Sequence, residues 1–277
     1  MNNMNTTNDR IRGMLWGLIV GDCLGSPAQF MDMDSFPRIT EMIPCRCFHT
    51  PPGYWTDDGA MALCIMQSVV NCQKYDLEDI ADCFISWYDE GFCSSLDYAF
   101  DIGTATYEGI LGLKSNQLRN GFEESQGNGS IMRFAPTLLL DNGDNKIIHE
   151  VSDLTHDSKK VRETIDLMAD ICRTHLSGSK TAHVSEYSCR EKVNNSGWAV
   201  STLQAALWAF HSTESFEDAL IEAVNLGRDA DTIGAVCGQI AGAYYGYSAI
   251  PERWLAAVKD REKIDKLIND FIEVCQN

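Results

Sequence analysis

The chain has 277 residues, of which 44% are hydrophobic, and its formal net charge is −18 at pH 7. This length and apolar content are enough to bury a sizeable core, which excludes global disorder. The strong negative charge would repel phosphate groups, so we expect no nucleic-acid partner and no anionic-membrane partner.

Helical spacing of apolar residues extends along most of the chain, and period-two alternation is nearly absent. With Asp76 and Ser215 as expected N-caps, the pattern predicts helices over residues 11–24, 58–72, 77–87, 203–210, 216–224 and 264–274. Two polar stretches, 141–145 and 177–195, are predicted surface loops. No low-complexity segment suggests a linker. We therefore predict an all-α fold in which residues 1–277 form one domain, a single compact multi-helix bundle.

The N-terminus and the cysteines predict the compartment. The opening MNNMNTTNDR lacks the basic-then-apolar order of a signal peptide, and no apolar run reaches the ~18 residues of a membrane span. The 11 cysteines are scattered without a CxxC pair, which is typical of reduced thiols. We expect a cytoplasmic protein without a membrane partner, and we expect it to be a monomer.

Two aspartates and a threonine, Asp229, Asp231 and Thr232, precede an apolar-periodic segment. Asp and Thr favour helix starts because their side chains bond local backbone N–H groups. Two converging carboxylates repel each other unless a cation is present, and oxygen-only ligands suit Mg²⁺, Mn²⁺ or Ca²⁺. The alternative is an N-cap with acids that compensate the helix dipole.

Glycines recur every fourth position directly after this acidic segment, at Gly234, Gly238, Gly242 and Gly246. They share one helical face, so a second helix can approach closely there. Gln239 and the flanking charges do not suit a membrane dimer motif. The spacing therefore predicts close packing of this helix in the core of a bundle.

A second acidic segment, Thr56-Asp57-Asp58, also precedes a predicted helix. If both helices direct their N-termini at one site, the carboxylates and hydroxyls of the two segments meet. Such a set is enough to hold two hard cations ~3.5–4 Å apart.

Four further features allow two interpretations each. Small residues at 127–130 predict either an anion-binding loop before a helix or an ordinary turn. Asp101, between apolar neighbours, predicts an N-cap or a carboxyl with a raised pKa. His156 is a structural hydrogen-bonding residue or a catalytic one, and Trp198 belongs to the core or to the wall of a slot for a base.

Taken together, these segments resemble the ADP-ribosylglycohydrolase family, which includes the dinitrogenase reductase-activating glycohydrolase and the ADP-ribosyl-acceptor hydrolases. In chain order the matching pieces are GDCLGSPAQF, WTDDGAMA, FDIG, GNGSIMR, LTHDS, SGWAVSTLQAALWAF and VNLGRDADTIGAVCGQIAGAYYG. The resemblance implies an all-α bundle with a central binuclear site for two Mg²⁺ or Mn²⁺ ions. It implies as metal ligands Thr56, Asp57, Asp58, Asp229, Asp231 and Thr232.

The resemblance also implies a substrate site. It assigns ADP-ribose contacts to the glycine-rich loop, places Trp198 near the adenine, and matches Asp101 to an aspartate implicated in catalysis. The substrate-binding set it implies is Gln29, Gly103, Thr104, Asn128, Gly129, Ser130, Met132, His156 and Trp198. Two positions depart from the pattern: Gln29 stands where many relatives have Glu, and Thr104 where the nitrogenase-regulating branch has Asn.

The implied reaction is metal-dependent hydrolysis of the bond between ADP-ribose and a side chain, with arginine preferred and an ADP-ribosylated protein or ADP-ribose small molecule as partner. Asp58 and Asp101 are the candidates for the general base. One alternative is a hydrolase of serine-linked, poly- or O-acetyl-ADP-ribose. A second is a non-catalytic ADP-ribose-binding protein, which Gln29 favours because an amide cannot act as a carboxylate. A third is a two-metal phosphoesterase.

Overall fold

The structure is a computed structural model that describes residues 2–182 and 185–276. In this part of the chain it contains twelve α-helices, short 3-10 turns and no β-strand, which confirms the all-α prediction. In chain order the helices are α1 (Asn2–Gly25), α2 (Asp57–Cys72), α3 (Leu77–Glu90), α4 (Thr104–Leu113), α5 (Ala135–Leu140), α6 (Lys146–Asp153), α7 (Lys159–Leu176), α8 (Ala199–His211), α9 (Phe216–Val224), α10 (Ala230–Tyr245), α11 (Glu252–Ala257) and α12 (Arg261–Gln276).

Every segment with helical periodicity lies in a helix, and both expected N-caps are confirmed. Asp76 accepts a hydrogen bond from the Asp79 backbone N–H at 3.3 Å, and the Ser215 hydroxyl accepts one from Asp218 at 3.0 Å. The helix predicted from residue 11 begins instead at Asn2, in a polar stretch that carries no apolar period.

The helices that were not predicted are α4 to α7 and α11. Two of them, α5 and α11, have six residues each, which is too short to display a period. The signal for α7 was present, because Val161, Ile165, Met168 and Cys172 are buried along one face. The predicted loop at 177–195 is irregular apart from a 3-10 turn at Arg190–Lys192, and its residues 183 and 184 lie outside the described part of the chain.

The glycine face of α10 packs against a second glycine face, on α1. A Cβ built on Gly238 would lie 1.9 Å from the carbonyl oxygen of Gly17, so the two backbones are in direct contact. The same close approach recurs in the pairs Gly21–Gly234 and Gly13–Gly242. The predicted close packing is confirmed. The matching glycines on α1 were not predicted, although they too recur every fourth residue.

The antiparallel packing of α1 and α10 positions the functional end of the molecule. The C-terminal end of α1 lies beside the start of α10, since a Cβ on Gly25 would lie 2.3 Å from the Ala230 carbonyl oxygen. Asp22, near the same end of α1, accepts hydrogen bonds from the first residues of α2. The end of α1 and the N-termini of α2 and α10 therefore meet at one place.

The apolar side chains of the described residues form a contiguous buried cluster that includes the fully buried Trp16, Trp87 and Trp254. No helix in the described residues is long and apolar enough to cross a membrane.

Candidate functional site

Both acidic segments open helices, as predicted. Thr56 is the N-cap of α2 and Asp229 is the N-cap of α10. Neither side chain makes a capping hydrogen bond to its own helix. N-capping, the alternative explanation for these residues, is therefore not what their side-chain oxygens do.

Asp22 lies at the same place, although the sequence analysis did not name it. Its buried carboxylate accepts hydrogen bonds from the backbone N–H of Thr56 at 2.9 Å and of Gly59 at 2.8 Å. It also accepts one from the Thr56 hydroxyl at 3.0 Å. These bonds anchor the start of α2 to α1. The sequence did contain an indication, because Asp22 is a lone acid in the apolar segment that ends in GDCLG. A carboxylate buried in such a segment needs hydrogen-bond partners.

Burial gives this end of the molecule its electrostatic character. Loss of hydration, followed by repulsion from neighbouring aspartates, raises the pKa of Asp57, Asp58 and Asp231 well above the usual carboxyl value. Burial also raises the pKa of Asp22 to about 7 and that of Asp229 to about 6. We call these residues, together with Asp101, the acidic cluster.

Two oxygens of the acidic cluster are buried without a hydrogen-bond partner, Asp58 Oδ1 and Asp231 Oδ2. The second oxygen of each carboxylate is engaged: Asp58 Oδ2 accepts from the Thr56 hydroxyl at 3.1 Å, and Asp231 Oδ1 accepts from the Thr232 backbone N–H at 2.8 Å. Buried oxygens without partners are costly. An oxygen-only donor set of this kind fits a hard divalent cation.

Within residues 2–182 and 185–276, no group of three or more His, Cys, Asp or Glu side chains converges closely enough to hold an ion. The implied binuclear arrangement is thus not seen, although the chemistry of its donors fits.

Asp101 lies across from the acidic segments, in a left-handed backbone conformation with φ of 58°. Burial raises its pKa, and the N-cap of α4 is Gly103, so the interpretation as a carboxyl with a raised pKa is confirmed and the N-cap interpretation is wrong. The Gln29 amide donates to Asp101 Oδ2 at 3.0 Å, while Gln29 Oε1 is buried without a partner. Besides burial, the charge of Asp101 also contributes to the raised pKa of Asp231.

Hydrogen bonds hold the glycine-rich loop, residues 127–130, in place. The Asn128 side-chain amide donates to the Asp229 carboxylate and, at 2.9 Å, to the Thr202 hydroxyl. Its backbone N–H donates to the Gly197 carbonyl at 3.1 Å. The prediction of a helix directly after this loop is wrong, because residues 131–133 form turns and α5 begins only at Ala135.

A cavity of about 460 Å³ lies between these elements. Of the residues named from the sequence, its walls include Gln29, Asp57, Asp101, Gly103, Thr104, Asn128, Gly129, Met132, His156, Asp229 and Thr232. Those that do not line it are Thr56, Asp58, Ser130, Trp198 and Asp231.

The residues outside the cavity wall differ in their surroundings. Asp58 and Asp231 lie buried behind it, and the Ser130 hydroxyl is buried without a partner. Trp198 is 59% exposed, so its interpretation as a core residue is wrong. It stands next to Gly197 at the rim and forms a β-bridge with Gly127 of the glycine-rich loop.

Without divalent cations, we expect the free energy of unfolding to fall as the pH rises from about 6 to about 8. A carboxyl with a raised pKa keeps its proton in the folded protein after the unfolded chain has lost its own, which favours the folded state at the lower pH. As the pH rises past the folded pKa values of about 7 for Asp22 and about 6 for Asp229, and toward the raised pKa values of Asp57, Asp58 and Asp231, the folded state must bury charge.

Urea unfolding with a chelator at the two pH values measures this effect, and we expect a net loss of about 1 kcal/mol or more, since each pKa unit corresponds to about 1.4 kcal/mol. Buried His156 and His175, whose pKa values fall to about 3 and 4, act in the opposite direction below the ordinary histidine pKa of about 6.5, so they offset part of the loss near pH 6. Asp22→Asn should reduce the pH dependence, whereas the exposed Asp97→Asn should leave it unchanged. A flat or rising profile would contradict the prediction.

Comparison with known proteins agrees with this geometry. The family model described as ADP-ribosylglycohydrolase matches residues 3–187 and 157–277. The ADP-ribosylarginine hydrolase Tri1 of Serratia proteamaculans (strain 568) is 33% identical over 285 residues, which cover 94% of this chain and 78% of the relative. The ADP-ribosyl-(dinitrogen reductase) glycohydrolase of Rhodospirillum rubrum is 27% identical over 298 residues, 95% of this chain and 97% of the relative.

A comparison of the fold with solved structures gives the same family. A solved structure described as an ADP-ribosylglycohydrolase-related protein complex aligns with a TM-score of 0.84 at 32% identity, over 98% of this chain and 99% of that chain. The family model, the near full-length relatives and the shared fold together establish that this chain belongs to the ADP-ribosylglycohydrolase family.

Proposed function

We propose that this chain is a metal-dependent hydrolase that releases ADP-ribose from a modified protein side chain, with arginine-linked ADP-ribose as its preferred substrate. The observation that carries the proposal is a cavity of about 460 Å³ that has a buried acidic cluster at one side and a pinned glycine-rich loop at the other. Its volume suits a nucleotide-sized ligand. The 33% identity to an ADP-ribosylarginine hydrolase supports the choice of arginine.

The acidic cluster supports a role for hard cations because two of its buried oxygens lack partners. Two Mg²⁺ or Mn²⁺ ions would supply charge that orients sugar hydroxyls and makes a water molecule more acidic. The residues that would hold them are Thr56, Asp57, Asp58, Asp229, Asp231 and Thr232.

Asp101 is the better candidate for the general base. Its carboxylate lines the cavity, whereas Asp58 lies behind the wall with one oxygen already accepting from Thr56. Asp101 would accept the proton of the attacking water as the bond at the ribose C1″ breaks. The positive charge that develops on the sugar would be stabilised by the neighbouring carboxylates.

Gln29 changes the role of a position at which many relatives carry Glu. Its amide cannot accept or release a proton in the reaction, but it donates to Asp101 at 3.0 Å and so fixes the orientation of that carboxylate. We assign it as an orienting residue. The hydrolase proposal therefore does not need a carboxylate at position 29.

The test uses two peptides that differ only in the modified residue, arginine-linked or serine-linked ADP-ribose. We expect release of intact ADP-ribose from the arginine peptide with Mg²⁺ or Mn²⁺, loss of activity with a chelator, and recovery when the metal is restored. Release from the serine peptide alone would overturn the choice of arginine.

Two other outcomes would overturn the hydrolase proposal itself. Tight binding of ADP-ribose without release from either peptide would identify a non-catalytic binding protein. Release of phosphate or AMP in place of intact ADP-ribose would identify a phosphoesterase.

A further inference from the structure

Arg133 is fully buried, yet none of the described carboxylates forms an ion pair with it. Its guanidinium lies 4.8 Å from the centre of the Phe84 ring. Nη1 donates to the Gly129 carbonyl at 2.7 Å, and Nη2 donates to the Thr155 hydroxyl at 2.6 Å. Burying a cation in this way is costly. Its hydrogen bonds reach the cavity wall at Gly129 and the residue next to cavity-lining His156.

The Thr155 hydroxyl determines where the proton of His156 resides. Arginine has only donors, so Thr155 Oγ1 must accept from Arg133. The other neighbour of this buried oxygen is His156 Nδ1, at 2.7 Å. If Nδ1 carried a proton and donated it, the hydroxyl proton would have no acceptor. Every polar atom has a partner only if the Thr155 O–H donates to His156 Nδ1. Nδ1 is then unprotonated, and the ring proton is on Nε2.

The protonated ring edge faces the cavity. A Cβ on Gly129 would lie 3.0 Å from His156 Nε2, and one on Gly127 would lie 3.4 Å from it. Glycine at 129 thus leaves this edge uncovered, and His156 belongs to the cavity wall. Burial, and then the charge of Arg133, lower the pKa of His156 to about 3, so the ring stays neutral throughout the physiological range.

We propose that Arg133 is a positioning residue that acts through Thr155 to hold His156 in the Nε2–H form, so that the cavity presents a neutral N–H donor to an acceptor oxygen of the bound nucleotide. A neutral donor does not add charge opposite the acidic cluster, and its strength does not vary with pH. The identity of the ligand rests on the proposed function, whereas the tautomer is a property of the free protein.

The decisive experiment is long-range ¹H–¹⁵N correlation NMR on the full chain labelled with ¹⁵N-histidine, with His156 assigned from a His156→Gln sample. We expect a neutral Nε2–H ring that does not change between about pH 6 and pH 8. A Nδ1–H ring, or protonation of the ring within this range, would overturn the inference. Because no ligand is added, this result is independent of whether the hydrolase proposal holds.

We call the chain of hydrogen bonds from Arg133 through Thr155 to His156 the relay. Variants of its residues distinguish a positioning role from a purely structural one. Thr155→Val and Arg133→Met should both populate the Nδ1–H form, while Thr155→Ser keeps the hydroxyl and should restore the wild-type spectrum. Melting temperatures identify any variant that fails to fold. Thr155→Val is nearly isosteric, so it still tests the inference if Arg133→Met does not fold. A folded Thr155→Val protein with a pure Nε2–H ring would show that the relay does not fix the tautomer.

A second pair of variants tests what the donor does for the ligand. The amide of His156→Gln places an N–H near the position of Nε2, whereas that of His156→Asn places it near Nδ1. We expect calorimetry with ADP-ribose to give binding at least about tenfold weaker for Asn than for Gln. Equal affinities would mean that the ligand does not use the Nε2 donor.

Discussion

Asp231→Asn is expected to lower kcat/KM by at least about 10³-fold, because the substitution removes charge from the place where the proposed ions would bind. Asp231 is fully buried at the start of α10, and its Oδ2 has no partner. Asn retains an oxygen that can accept from the Thr232 backbone N–H, so the local fold should persist.

The same substitution should make the chelated protein more stable. It removes a carboxyl whose pKa is raised by burial and by repulsion from Asp101, Asp58 and Asp229, which is a destabilising charge when no cation is present. Lost turnover with gained stability is a signature that general unfolding cannot produce.

Three measurements check this prediction: initial rates of ADP-ribose release, calorimetric titration with Mn²⁺ or Mg²⁺, and urea unfolding with a chelator. The exposed Asp97→Asn removes the same charge elsewhere and should leave all three unchanged. Wild-type turnover by Asp231→Asn would refute the assignment of Asp231 as a ligand.

Gly238→Ala is expected to destabilise the protein by about 3 kcal/mol or more, through overpacking at a backbone contact. The new Cβ would lie 1.9 Å from the Gly17 carbonyl oxygen, and neither atom belongs to a side chain that can rotate away. Alanine normally favours a helix over glycine by about 1 kcal/mol, so a loss would run against intrinsic propensity.

Thermal and urea unfolding measure the effect of Gly238→Ala. Gly103→Ala is the matched control for stability, because a Cβ there meets no atom within 4 Å, and we expect a change within about 0.5 kcal/mol. Any folded Gly238→Ala protein should also lose activity, since separating α1 from α10 moves Asp22 relative to Asp231. Unchanged or increased stability would show that the two helices can separate at little cost.

Three features could be predicted from the residues alone: the fold class, the helices with a clear apolar period, and the two helix starts that carry the acidic segments. These features are local: periodicity, N-cap chemistry and glycine spacing are read within one segment, and Asp76, Ser215 and the glycines of α10 behaved as predicted. The resemblance to the family added substrate-site positions, and several of these, such as Gln29 and His156, line one cavity.

The packing of distant elements determines which segments meet and what each polar group contacts, and neither could be predicted from local patterns. Asp22 carries no local sign that it will hold the start of α2, because its donors lie 34 and 37 residues away along the chain. Arg133 follows the loop at 127–130, after which a helix was expected, yet it lies in a turn and donates a hydrogen bond to the Thr155 hydroxyl. Trp198 has a large apolar side chain, yet it is exposed at the rim of the cavity. Such contacts depend on how distant elements pack, and this information is not contained in the spacing of residues within a single helix.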